Sequence, residues 1–346
     1  MWALGTPRLP HVMNALPSFI TTVLTEGMPA LKADPRGFVL SGDPRALVPA
    51  RIVAWLWGVG LIGVTAWGTW RYVGGTASLI GAGVLSLVPE VIAHSAIAGS
   101  DVPFATTAML AIVFLARYVE RPTFTRWVAA AVMIGLAWST RHTAILLIAL
   151  AGVVAFVVQV WQARSVATMV ERLSRWVLAV TVLLMIAGLT LWAGDGLGTI
   201  TPLKLSGQAT HASVPQKIGP VDISQWPVPT SLVSLVIQVR HQGQGHQAYF
   251  LGERGETGWP LYFPVAFLLK TPMGLLGLMV LAIPRLRPRN GLEWLCLGLL
   301  GLIWLGLVRS HVNIGVRYTL LTYPLMVPFL IRLVPSTGPS DRVLAL

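Results

Sequence analysis

Apolar residues along this chain are gathered into long runs set apart by short polar connections. The runs fall at about 50–69, 77–98, 102–119, 126–140, 142–161, 175–193, 260–283, 291–308 and 314–333. A bilayer hydrocarbon core about 30 Å thick needs roughly 20 apolar helical residues to cross it, so the pattern predicts an all-α polytopic membrane protein with about nine transmembrane helices. One interval, between the sixth and seventh runs, breaks the rhythm and predicts a long loop outside the bilayer. The organisation expected is an extracytoplasmic or interfacial segment 1–49, a six-helix membrane region 50–193, an extracytoplasmic loop 194–259, a three-helix membrane region 260–333 and a cytoplasmic tail 334–346.

Composition agrees with this pattern. Of 346 residues, 55% are hydrophobic and 11% charged, and the mean hydropathy is +0.71. The formal charge of +12 raises the question of nucleic acid, but the arginines stand singly or in threes between apolar runs, without the clustered basic face that such binding requires. They read instead as topology signals. Cys296, alone in the chain, lies within an apolar run, which excludes an intrachain disulfide or cysteine metal site and leaves a small packing residue.

Short loops rich in Lys and Arg stay on the cytoplasmic side. One set of connections holds Arg71; Arg117, Arg121 and Arg126; Arg164, Arg172 and Arg175; Arg285, Arg287 and Arg289; and Arg332. These alternate with the turn near Ser100, the junction at Arg141, the loop 194–259 and the link around His311, which are therefore expected outside. Residues 1–49 then also lie outside. They hold only the short apolar stretch "ALPSFITTVL", so the sequence predicts a membrane helix or signal upstream of Met1; retention inside or along the interface is the alternative.

Ionisable residues within membrane segments are costly, about 2.5 to 3.5 kcal/mol for a central Lys or Asp, and each is a functional hypothesis by default. Here they gather toward one end. Asp101 begins the third run, His94 and Glu90 precede it across an Ala-Gly-Ser turn, Arg141 and His142 occupy another outer junction, and Arg317 opens the last run. Lys270 follows Leu261 by about nine residues, roughly 14 Å along a helix, between Pro264 and Pro272, which are expected to break the helix beside a cavity. Each has a plainer reading: a helix N-cap for Asp101, headgroup anchors for Arg141 and Arg317, a packed histidine for His94, a structural pair for Glu90. Taken together, several cations and two carboxylates at one leaflet describe a pocket for an anionic lipid headgroup.

The loop 194–259 is rich in Gly and Pro, with one short helix expected at "SLVSLVIQVR". A loop of this length is functional or disordered, and the aromatic and histidine content of its second half argues against disorder. Trp259 and Tyr262 read best as interface anchors. Tyr249 and Glu253 are candidates for hydrogen bonding to a sugar or polar acceptor. His241 and His246 are a weak metal signal without a carboxylate partner pattern, which leaves a divalent metal open and no cofactor certain.

Three stretches carry a family resemblance: "VPEVIAHSAIAGSDVPFATTAML", "HQGQGHQAYFLGERGETGWPLYFPVAFLLKTP" and "NIGVRYTLLTYP". With them the chain resembles bacterial membrane glycosyltransferases of the C superfamily, the polytopic group of protein O-mannosyltransferases and aminoarabinose transferases that use polyprenyl-phosphate sugars. "LPHVMNALPSFI" is similar to the end of that family's first extracytoplasmic loop. The chain departs from the pattern in several places. The first helix and the acid that follows it in the family have no counterpart, Ala96 stands where an Arg is frequent, Pro260 where a Trp is, and the family often continues beyond the last helix. A fragment or a decayed copy is the corresponding expectation.

The resemblance implies transfer of a sugar from a polyprenyl-phosphate-type lipid to an acceptor hydroxyl on a protein, lipid or glycan. A carboxylate must take the acceptor proton as the sugar passes through an oxocarbenium-like state, and cations must stabilise the departing phosphate. Asp101 is the best carboxylate, with His94 and Glu90 as partners; Lys270, Arg317 and Arg141 are the phosphate candidates, with His142, His246, Tyr249 and Glu253 as further binding residues. The rival is a transporter or flippase of an anionic or lipid-linked substrate. It predicts charges on both halves of the membrane, where the sequence places few in the inner half.

Overall fold

The protein is described by a computed structural model, which covers residues 9–16, 44–161, 166–200, 217–218, 221–222 and 225–334. Most of the expected segment 1–49, much of the first half of the loop and nearly all of the tail lie outside the described residues. Thirteen α-helices are assigned among them. Helix α1 covers 9–16, followed by α2 (Pro44–Val73), α3 (Gly75–Ser86), α4 (Pro89–Ser95), α5 (Asp101–Glu120), α6 (Phe124–Thr140), α7 (Ile145–Trp161) and α8 (Val166–Gly194). After the loop come α9 (Thr230–Gln244), α10 (Tyr262–Lys270), α11 (Met273–Ala282), α12 (Gly291–Val308) and α13 (Thr322–Leu330).

All nine apolar runs are helical, but they do not all cross in one piece. Five helical stretches are long and apolar enough to span alone: Val48–Val73, Asp101–Glu120, His142–Val160, Val170–Gly194 and Gly291–Val308. Two more pairs are long and apolar enough only when taken together, as broken spans or re-entrant loops: α3 with α4, bent by 68°, and Tyr262–Lys270 with Met273–Arg285, bent by 114°. Both breaks have a local cause, because Pro89 and Pro272 each open the second helix of a pair and cannot donate back into the first. Pro264 breaks nothing; it sits in the first turn of α10, where the missing N–H is harmless. The run at 126–140 becomes α6, only 17 residues long. The last run becomes α13 flanked by 3₁₀ turns at Val316–Thr319 and Ile331–Leu333, and every residue from Leu320 to Ile331 is buried.

Helix α5 is the axis of the bundle, packed against α2, α6 and α12 and buried along most of its length. Lipid tails are as apolar as leucine, so small residues and interhelical polar ties must hold such helices together. A Cβ on Gly135 would stand 2.6 Å from Thr190 Cβ and 2.8 Å from the Ala187 backbone, which sets the close approach of α6 to α8. Trp127 Nε1 donates to Ala179 O at 3.0 Å across the same interface. Trp176 Nε1 donates to Gly152 O at 2.9 Å between α8 and α7, and Thr106 Oγ1 to Trp57 O at 2.9 Å between α5 and α2.

The arginine-rich connections collect at one end of α5. Glu120 meets Arg71 at 3.5 Å and accepts from the Tyr72 hydroxyl, Arg117 lies 4.1 Å over the Trp67 ring, and α12 starts beside Val119. Arg332 donates to the carbonyls of Arg285 and Arg287 at 2.7 and 3.0 Å and pairs with Glu293. That last pair joins the start of α12 to the end of the last run. Glu293 retains 2% exposure because Asn290 caps α12 and the carboxylate also accepts from the Arg289 N–H at 2.7 Å, a variant of the capping box.

The described part of the loop is not wholly irregular. Strands β1 (Thr199–Ile200) and β4 (Val228–Pro229) pair antiparallel, as do β2 (Lys217–Ile218) and β3 (Val221–Asp222). Helix α9 contains the predicted "SLVSLVIQVR". Strands β5 (Ala248–Phe250) and β6 (Glu253–Gly255) form a hairpin closed by Leu251 and Gly252, both at positive φ, the geometry that matches the twist of paired strands.

Candidate functional site

The end of α5 opposite the arginine-rich connections begins with Asp101. It is not the N-cap: Ser100 holds that position without a side-chain bond. Asp101 instead pairs with Arg141, which sits where the chain leaves α6 in an extended conformation. The Asp101 and Arg141 side chains keep 13% and 17% of their exposure, so the pair is mostly desolvated. A carboxylate in the first turn also faces the positive end of the helix dipole.

Arg141 carries a second contact. Its guanidinium lies 4.4 Å from the Tyr318 ring centroid, and that of Arg317 lies 5.4 Å from the same ring. Two cations thus meet on one aromatic side chain, each attracted by the ring quadrupole. Arg317 stands on the 3₁₀ turn Val316–Thr319, has a buried Nε with no hydrogen-bond partner, and makes no salt bridge among the described residues. Asp101, Arg141, Arg317 and Tyr318 line a cavity with Phe104 and Thr143.

His94 stands at the hub of this end. Asp101, Arg317, Glu90 and Lys270 are all within electrostatic reach of its ring. Lys270 is exposed and is the last residue of α10, with the sharp turn at Thr271–Pro272 immediately after it. The helix that begins at Tyr262 thus ends at the lysine. Thr271 shares a 3.0 Å hydrogen bond with the Tyr323 hydroxyl, which also interacts with the Glu90 carboxyl. Glu90 is 9% exposed and its Oε2 has no partner. It therefore braces the break beside Lys270 and does not line the Arg141–Arg317 cavity.

The other candidates lie elsewhere. His142 is 5% exposed and its Nε2 is 2.6 Å from Ser234 Oγ on α9, so it ties the loop helix to the bundle. Tyr249 and Glu253 are exposed on the β5–β6 hairpin, and His246, also exposed, contacts Gln247 O at 2.8 Å. None of the four lines the cavity. The hairpin is nonetheless connected to it by an aromatic chain. Phe250 packs on Trp259 and Tyr262, Tyr262 on Phe263, and Phe263 on Tyr318, with centroids 5.1 to 6.0 Å apart. Asn313 Oδ1 accepts from Trp259 N at 2.6 Å. Trp259 and Tyr262, expected as interface anchors, are links in this chain. His241 begins the last turn of α9.

Sequence reasoning passed over Tyr318 and Tyr323, although both lie in "NIGVRYTLLTYP". Their signal was an aromatic beside a charged residue and another in the first turn of a buried helix. What each contacts is decided by segments far away in sequence.

Residues 38–192 match the family model of dolichyl-phosphate-mannose-protein mannosyltransferase. No curated protein matches the chain. Among solved structures, ArnT from Cupriavidus metallidurans bound to undecaprenyl phosphate superposes with a TM-score of 0.58 at 14% identity, covering 98% of this chain and 52% of that chain. The apo form of the same protein gives 0.55 at 15% identity, with 98% and 51% covered. The chain spans about half the length of these structures. The expected resemblance is thus met by a family model over residues 38–192, which include the first of the three motifs, and by the fold over nearly the whole length: this is a multi-pass membrane protein with the fold of these solved structures.

Proposed function

We propose that the chain is part or all of an integral membrane glycosyltransferase that takes a sugar from a polyprenyl-phosphate-type donor and passes it to an acceptor hydroxyl on the extracytoplasmic side of a bacterial inner membrane. The observation that carries this reading is the convergence of Asp101, His94, Arg141, Arg317 and Lys270 at one end of the bundle. The solved relative bound to undecaprenyl phosphate supports the lipid class. The positive-inside pattern supports the side.

In this reading the bond from the sugar anomeric carbon to the phosphate oxygen breaks as the acceptor oxygen attacks that carbon. The acceptor proton goes to a carboxylate, and the polyprenyl phosphate leaves. Arg141 is committed to Asp101 and acts by positioning it: Oδ1 faces the guanidinium, leaving Oδ2 to accept the proton. Arg317 and Lys270 are the cations for the phosphate, Arg as a fork of donors and Lys as a mobile point charge. Tyr249 and Glu253, exposed on the hairpin, would contact the acceptor in this reading. The transporter reading is less supported, because at the opposite end Glu293 is paired with Arg332 and Glu120 with Arg71.

The test is transfer from a lipid-linked sugar in membranes carrying the protein. Lys270→Ala and Arg317→Ala are each expected to lower the rate about 100-fold or more, the scale for removing one donor from a developing anion, with the protein still present in the membrane. Unchanged transfer in both would remove the phosphate assignment.

A further inference from the structure

A second cavity of about 300 Å³ opens between the arginine-rich ends of α5 to α8, a volume in the range of ligand sites. Its walls include Tyr118, Trp127, Val158 and Val182, and its polar side carries Arg172 and Arg175. Tyr118 stands 17 residues beyond Asp101, about 26 Å along α5, so this cavity is separate from the candidate site. Tyr118 and Trp127 pack together at 4.8 Å, and the indole N–H is already given to Ala179 O. Apart from the Tyr118 hydroxyl, Thr123 and Gln159, the remaining wall is apolar.

We infer that this cavity binds an anionic phospholipid, with the phosphate on Arg172 and Arg175 and the start of an acyl chain against Val158 and Val182. Three observations carry it. The first is charge. Arg117, Arg121 and Arg126 cluster at the same end, and against them stand Glu120 and Glu171. The second is availability: among the described residues Arg175 forms one salt bridge, with Glu171 one turn before it, both more than half exposed, an arrangement worth a few tenths of a kcal/mol that a phosphate readily replaces. The third is continuity. The apolar wall runs on into lipid-facing residues, since Phe156 and Val157 on α7 and Val177 on α8 are all exposed. A free phosphate would satisfy the arginines and leave the wall without a role, whereas a phospholipid uses both, as basic pockets between membrane helices do.

The experiment uses the purified, delipidated protein in detergent, titrated separately with phosphatidylglycerol, phosphatidylcholine and inorganic phosphate, with binding read by native mass spectrometry and by the melting temperature. Phosphatidylglycerol is expected to bind at least tenfold more tightly than phosphatidylcholine. The Arg172→Gln/Arg175→Gln variant is expected to weaken it roughly 30-fold, for two interfacial charges. Equal affinity for the two lipids, or an unchanged affinity in the variant, would overturn the site. Stabilisation by inorganic phosphate equal to that by phosphatidylglycerol would overturn the lipid assignment. Should the variant not fold, the competition between the two lipids on the unaltered protein decides alone.

Discussion

Breaking the Asp101–Arg141 pair probes both the fold and the proposed chemistry. Two unit charges about 4 Å apart attract by about 4 kcal/mol at an effective dielectric of about 20. Pairs fully open to water yield only about 0.2 to 1 kcal/mol, and stranding one member of a fully buried pair costs about 3 to 5 kcal/mol. With 13% and 17% of their exposure left, these two side chains belong near the buried limit, and we predict a coupling of about 2 kcal/mol. The assay is a double-mutant cycle on Asp101→Ala, Arg141→Ala and the double variant, by reversible denaturation in micelles. Arg141→Ala also loses its contact with Tyr318, but that loss occurs with or without Asp101 and cancels in the cycle. A coupling below about 0.5 kcal/mol would show that the pair is solvated and refute the reasoning. Transfer measured on the same proteins separates the roles. Asp101→Ala should be as slow as the double variant, because a positioning arginine then has nothing to position. A further drop in the double variant would give Arg141 a direct part in the reaction.

Other outcomes follow from the same geometry. Arg332→Ala should destabilise the protein by about 3 to 5 kcal/mol, since Glu293 would be left charged and almost fully buried; a denaturation midpoint matching the parent would contradict this. Tyr318→Leu, which removes the ring under Arg141 and Arg317, should raise the KM for the lipid donor severalfold, on the scale of about 0.5 to 2 kcal/mol for cation–π contacts, while Tyr318→Phe restores it. Gly258→Ala should loosen the hairpin. Its φ is +72° and a Cβ would stand 2.7 Å from Asn313 Oδ1 and 2.9 Å from Ser310 O, so cleavage between β5 and α10 by a dilute protease should accelerate, and an unchanged cleavage rate would count against the packing described.

The membrane fold was legible in the sequence because a bilayer offers the backbone no water, so long apolar runs must be helical wherever they lie. The grouping of the arginine-rich connections was legible too: they meet at one end, through Arg71 with Glu120 and Arg332 with the Arg285 and Arg287 carbonyls. The kinks at Pro89 and Pro272 were half-legible, since proline announces a break but not its angle. Nothing local told Pro264 from Pro272 except where the helix begins.

Which charges touch was decided only by tertiary structure. Asp101 and Arg141 are 40 residues apart, and Arg317 with Tyr318 lies far beyond both; that the ring of Tyr318 receives two guanidinium groups depends on how α5, α6 and the 3₁₀ turn before α13 pack. In the same way the fold sent His142 inward to Ser234 and left Tyr249 and Glu253 on an exposed hairpin. The physical reason is one of range. Hydrophobicity and proline act within a few residues of themselves, so the sequence states them outright, whereas the partner of a buried charge is set by close packing between segments that only the folded bundle brings together.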